Sequence, residues 1–165
     1  DTIAFPGMTA NFDAAKSAAL ALTMSDWIDF GADYSQAMIE LAQALAAELA
    51  GQDLPVFETA KGATQSHQFA LEAARFGGGQ AASKTLRKAG FLACGIGLPI
   101  KEVAGDMNGL RIGTPELVRR GMTPADAPRL AALIAEGLLG NNPETVAPRT
   151  REMRAEFQGM HYVHP

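Results

Sequence analysis

Sulfur chemistry has little to work with in this sequence: Cys94 is the single cysteine among 165 residues, so the chain can build neither a disulfide framework nor a cysteine metal cluster. A reducing compartment, the cytoplasm, is the default that follows. Positive charge is scarce as well. Lys and Arg number 14 against 18 Asp and Glu, for a net charge of -4, and the basic residues are scattered, so neither a phosphate backbone nor an anionic membrane surface is a natural partner. Long apolar runs are missing: residues 18–22 and 131–135 are among the longest, far short of the ~20 needed to span a bilayer. The first residue is Asp1 and no basic start precedes an apolar run, so no secretory signal is read. The absence of an initiator Met suggests that the beginning of the gene product is missing. There is no internal repeat.

What is present is a globular composition. Hydrophobic residues make up 47% and charged residues 19%, enough apolar material for one core. Residues 12–29 are rich in Ala, Leu and Met without Pro or Gly and predict a helix, with Asn11 as its cap. Gly31 interrupts the pattern, and Tyr34, Met38, Leu41, Ala42, Leu45 and Leu49 mark a second helix that ends at Gly51. Residues 54–57 and 67–72 read as strands, 77–89 as a helix closed by Gly90, and 91–96 and 109–113 as two further strands. Thr114-Pro115-Glu116 and Thr123-Pro124-Ala125-Asp126 place a capping side chain, a first-turn proline and an acid in helix-start order. A last helix covers 148–157, leaving an uncommitted tail. The expected fold class is therefore α+β, with a few-stranded, mainly antiparallel sheet and helices, preceded by two long helices.

The run Met107-Asn108-Gly109-Leu110-Arg111-Ile112-Gly113-Thr114-Pro115-Glu116-Leu117-Val118-Arg119-Arg120-Gly121-Met122 resembles the signature near the end of serine hydroxymethyltransferases. Phe5-Pro6-Gly7 and Ser66-His67-Gln68-Phe69 resemble two further segments of that family, so the likeness extends over essentially the whole chain. It implies the C-terminal half of a fold-type I pyridoxal-phosphate enzyme, with residues 1–32 trailing from the large cofactor domain and 33–165 forming the small C-terminal domain. By position, Arg111 matches the arginine that binds the substrate's α-carboxylate in the family. A guanidinium suits that task because its planar fork gives a carboxylate two charge-assisted hydrogen bonds.

In the family, the segment matched by Phe5-Pro6-Gly7 brings backbone N–H groups to the cofactor phosphate of the neighbouring subunit. That maps cofactor binding onto Gly7 and Met8, although Met8-Thr9-Ala10-Asn11 replaces the family's glycine-rich continuation. None of Lys16, Lys61, Lys84, Lys88 or Lys101 has the setting of the cofactor lysine, so no catalytic residue is assigned within this chain and the piece alone is expected to be inactive. The resemblance implies hydroxymethyl transfer between serine and glycine in one-carbon metabolism, with pyridoxal phosphate held by a cofactor domain supplied in cis or in trans. It also implies a homodimer or higher oligomer and tetrahydrofolate as carrier. The composition of 97–106 departs from the family's folate-contacting loop, so a folate-independent aldolase or transaminase of the same superfamily stands as an alternative. A non-catalytic dimerisation or binding module is a third.

Other signals read as structural. Gly78-Gly79-Gln80-Ala81-Ala82-Ser83-Lys84-Thr85 misses a phosphate-binding loop because Ser83 stands where glycine is required. His161 and His164 fall in a tail read as flexible, without the partners of a metal site. His67 is read as a hydrogen-bonded structural histidine and Cys94 as a small core residue. Trp27, Phe30 and Tyr34 are read as core or subunit contact.

Overall fold

The computed structural model describes residues 2, 3, 8 and 13–164. α1 (Ala14–Gly51) is a single helix of 38 residues. It is capped by Asp13, whose Oδ1 accepts the N–H groups of Ala15 at 3.0 Å and Lys16 at 3.3 Å; Asn11, expected as the cap, lies outside the described residues. The break expected at Gly31 does not occur, so the two helices read from the sequence are one. A mid-helix glycine costs only about 1 kcal/mol, and here it makes room: a Cβ at position 31 would come within 2.7 Å of the Trp27 ring. Beyond Gly31 the helix buries Tyr34, Met38, Leu41, Ala42, Leu45, Ala46 and Leu49. Before it, nearly every side chain is exposed.

The sheet has the order β1-β3-β2, with β1 (Gln68–Glu72) and β2 (Cys94–Ile96) both antiparallel to β3 (Gly109–Gly113). The strand expected at 54–57 is reduced to a bridge between Val56 and Leu71. Two bonds flank it, Phe57 N–H to the Ala70 carbonyl at 2.9 Å and Glu72 N–H to the Pro55 carbonyl at 2.8 Å. Alternation then sorts the sheet into two faces. Phe69, Leu71, Leu110 and Ile112 join the core beneath α1, whereas Ala70, Arg111 and Cys94, directly paired across the strands, share the opposite face. Leu71 and Leu110 are fully buried, each contributing about 2–3 kcal/mol of apolar transfer.

The helices α2 (Gly79–Lys88), α3 (Pro115–Arg119), α4 (Ala127–Leu139) and α5 (Ala147–Glu156) complete the unit. The start of α4 is anchored by Asp126, whose Oδ2 accepts both the N–H of Thr123 at 2.9 Å and its hydroxyl at 3.0 Å. The Thr114 side chain does not cap α3 as its sequence position suggested. It is fully buried, and its hydroxyl lies 2.8 Å from the Met38 carbonyl and 3.1 Å from that of His67, tying the end of β3 to the middle of α1.

The tail is docked rather than flexible. Arg119 Nη1 donates to the His161 carbonyl at 3.0 Å and the Tyr162 carbonyl at 2.7 Å, while the His161 N–H returns to the Arg119 carbonyl at 2.9 Å. The Tyr162 ring stacks on Tyr34 with centroids 5.2 Å apart, and the Arg119 guanidinium sits 4.3 Å from the Tyr34 ring centre. His164 reaches α1, its N–H on Asp26 and its Nε2 2.9 Å from Asp29. Trp27 and Tyr34 are neighbours with centroids 5.7 Å apart, so the aromatic residues of α1 form the seat of the tail. No helix among the described residues is long and apolar enough to cross a membrane.

Candidate functional site

Arg111 sits at the centre of β3, the middle strand, between Ala70 on β1 and Cys94 on β2. Its backbone is fixed by both neighbouring strands, and its side chain is exposed on the face turned away from the core. The flanking side chains are small, which leaves the guanidinium clear. No ion pair among the described residues engages it. Glu72 lies one pairing step away on the same face, opposite Gly109, and makes no ion pair with it either. Cys94, expected in the core, is half-exposed beside Arg111, because Gly95, not Cys94, occupies the inward position of that short strand.

One edge of this face is built by the loop between β2 and β3. Asn108 is 6% exposed and clamps the loop with one side chain. Its Oδ1 accepts the Leu98 N–H at 2.6 Å, and its Nδ2 donates to the carbonyls of Leu98 at 2.9 Å, Ile100 at 3.1 Å and Lys101 at 3.3 Å. Asp106 fastens the other end by accepting the N–H groups of Gln80 at 2.9 Å and Ala81 at 3.0 Å, at the start of α2, and that of Met107 at 2.6 Å. The Gln80 bond foremost holds the Asp106 carboxyl below its ordinary 3.8; the Ala81 and Met107 bonds and the nearby Lys84 charge add to it, and partial desolvation opposes it.

Gly109 completes the arrangement: a Cβ there would fall 2.6 Å from Leu98 Cδ1. Because residues 109 and 111 of a strand point to the same side, Leu98 lies on the Arg111 face. Neither Asn108 nor Asp106 was singled out as a loop clamp from the sequence, where the only hint was a short polar stretch interrupting an apolar loop.

Other residues noted in the sequence stand apart. Gly7 lies outside the described residues, and Met8 is 82% exposed. The His67 side chain is exposed and only its carbonyl does structural work, receiving the Thr114 N–H at 2.9 Å. The five lysines lie on α1, on α2, in the turn at Thr59–Gly62 or in the 97–106 loop, none on a strand. A cavity of about 360 Å³, lined by Leu86, Phe91, Leu117, Ile134, Met153 and Phe157, opens beside Ile112 on the opposite side of the sheet from Arg111.

The sheet and its helices match known proteins along nearly the whole chain. An alpha-methylserine aldolase of Ralstonia sp is 54% identical over 99% of this chain and 37% of that protein. A serine hydroxymethyltransferase of Pyrobaculum arsenaticum is 32% identical over 96% of the chain and 37% of that protein. The crystal structure of L-threonine transaldolase from Pseudomonas fluorescens, in its internal aldimine state, superposes with a TM-score of 0.82 at 25% identity, covering 96% of this chain and 36% of that one. Over nearly its whole length the chain is similar to alpha-methylserine aldolases and serine hydroxymethyltransferases. Its three-stranded antiparallel sheet with flanking helices matches the C-terminal domain of a fold-type I pyridoxal-phosphate enzyme. No family model matches. The chain spans 37% of the length of these curated family relatives.

Proposed function

We infer that the protein bearing this chain is a pyridoxal-phosphate aldolase acting on a β-hydroxy-α-amino acid, and that Arg111 holds the substrate's α-carboxylate. The observation that carries the site is an arginine whose backbone is fixed at the centre of β3 and whose side chain is exposed, without an ion-pair partner among the described residues. The described residues fit the substrate end of such a site and not the cofactor's lysine, since no lysine lies on the Arg111 strand face. Preference for an aldolase over a folate-dependent transferase rests on the 54% identity to the alpha-methylserine aldolase against 32% to the hydroxymethyltransferase.

The overall reaction is a retro-aldol cleavage: the Cα–Cβ bond breaks, the β-hydroxyl loses its proton, Cβ leaves as an aldehyde, and a proton takes its place at Cα. A 2-methyl-3-hydroxy amino acid with a CH2OH side chain thus gives formaldehyde and alanine. When bound, pyridoxal phosphate supplies the electron-withdrawing ring that makes this bond labile. Arg111 fixes the carboxylate, and so the rotation about Cα that decides which bond faces that ring.

Residues 1–32 are assigned to the large cofactor domain and 33–165 to the small one. The N–H groups of Gly7 and Met8 would serve a neighbouring subunit's cofactor phosphate in a cytoplasmic homodimer, and the isolated chain would be inactive.

The test uses the full-length protein. Arg111→Ala raises KM by roughly a hundredfold, the loss of a two-pronged charged hydrogen bond, and Arg111→Lys recovers only part. Formaldehyde and the amino-acid product form without tetrahydrofolate. Unchanged kinetics for Arg111→Ala, or a strict need for the folate, overturns the reading. The hydroxymethyltransferase likeness keeps the folate-dependent reaction as the second reading, and the same product assay separates the two.

A further inference from the structure

Resting on the assignment of Arg111 to the substrate carboxylate, we propose that Leu98, backed by Ile96, is the specificity wall that receives an alkyl group on the substrate's Cα. The placement follows from the chain itself. Gly109 is the only residue type that admits the Leu98 side chain where it is, since any Cβ would stand 2.6 Å from both Leu98 Cγ and Cδ1. Gly109 and Arg111 are two apart on β3, about 7 Å along one face. Ile96 pairs with Gly109 as Cys94 pairs with Arg111, so Ile96 also points to that face. Ile96 at the end of β2 and Leu98 in the loop after it therefore form an apolar pair one pairing step along the face from Arg111, whereas β1 on the other side carries the small Ala70 between Gln68 and Glu72.

The wall is held as firmly as its neighbour on the strand. Asn108 bonds both the N–H and the carbonyl of Leu98, and the Ile100 N–H closes a tight turn onto that carbonyl at 2.8 Å. A loop of exposed residues, Gly97, Pro99, Lys101 and Glu102, thus presents one half-buried leucine in a fixed position. An amino acid anchored by its carboxylate at Arg111 projects its Cα substituents over this face. A hydrogen at Cα leaves a gap against Leu98, whereas a methyl group fills it, and one methyl in an apolar pocket is worth about tenfold or more.

The experiment uses the full-length, cofactor-loaded protein, with calorimetric binding of alanine and glycine as the pair of probes and kcat/KM for 2-methylserine and serine as the second readout. In the parent protein the methylated member of each pair is preferred. Leu98→Ala cuts that preference by about tenfold with little change for glycine, and Leu98→Val, which keeps a branched wall, retains most of it. Arg111→Ala weakens both probes together. If Leu98→Ala lowers both members equally, or leaves the ratio intact while Arg111→Ala abolishes binding, the wall is wrong and the carboxylate assignment survives. If Arg111→Ala leaves binding intact, the carboxylate assignment fails and takes the wall with it.

Discussion

At the scale of single residues, Thr114 marks the limit of pattern reading. Thr-Pro-Glu predicts a helix start, and α3 begins there, yet the hydroxyl turns inward to the Met38 and His67 carbonyls. Thr114→Val keeps the shape and removes that donor, and we expect a loss of about 1–2 kcal/mol in urea unfolding. Asp106 adds a pH-dependent contribution. Because its folded carboxyl titrates below the ordinary 3.8, its stabilisation is complete above that value and disappears as pH falls through the depressed one. Asp106→Asn should therefore melt below the parent near neutral pH, with the gap closing in acid below the ordinary carboxylate range. A gap that persists there would remove the ionised cap from the account. Arg111 could be singled out because it sits in a long ungapped signature; the clamp by Asn108 could not, because one amide bonding a loop ten residues upstream leaves no local trace.

At the scale of elements, strand β3 and the helix starts matched the residues closely, since alternation, glycine and Thr-Pro punctuation are local signals. The helix break at Gly31 did not, because a glycine that seats an aromatic ring looks the same in sequence as one that ends a helix. Gly31→Ala places a methyl against Trp27, the single tryptophan of the chain. The expected result is unchanged helicity by circular dichroism with a red-shifted tryptophan emission, as the ring is displaced from Tyr34 into water. The core behaves in the ordinary way. Leu110→Ala, at a fully buried position of the central strand, should cost about 2–5 kcal/mol, read as a lower denaturation midpoint.

For the molecule as a whole, the first half of α1 displays Leu20, Leu22, Met24 and Ile28, the last 83% exposed, apolar side chains whose exposure water does not favour. Expressed by itself, the 165-residue chain is expected to self-associate in light scattering, and supplying the rest of the protein should suppress this. A stably monomeric isolated chain would count against the assignment of this limb to the large domain. The tail adds a constraint at the same scale, joining α3 to the exposed half of α1 through Arg119, Tyr162 and His164. Tyr162→Ala should loosen that joint and speed amide exchange around residues 26–34. The unbroken course of α1 has a mechanical consequence as well. At 1.5 Å per residue its 38 residues make a rod of about 57 Å, so the direction of the exposed limb is tied to that of the packed half.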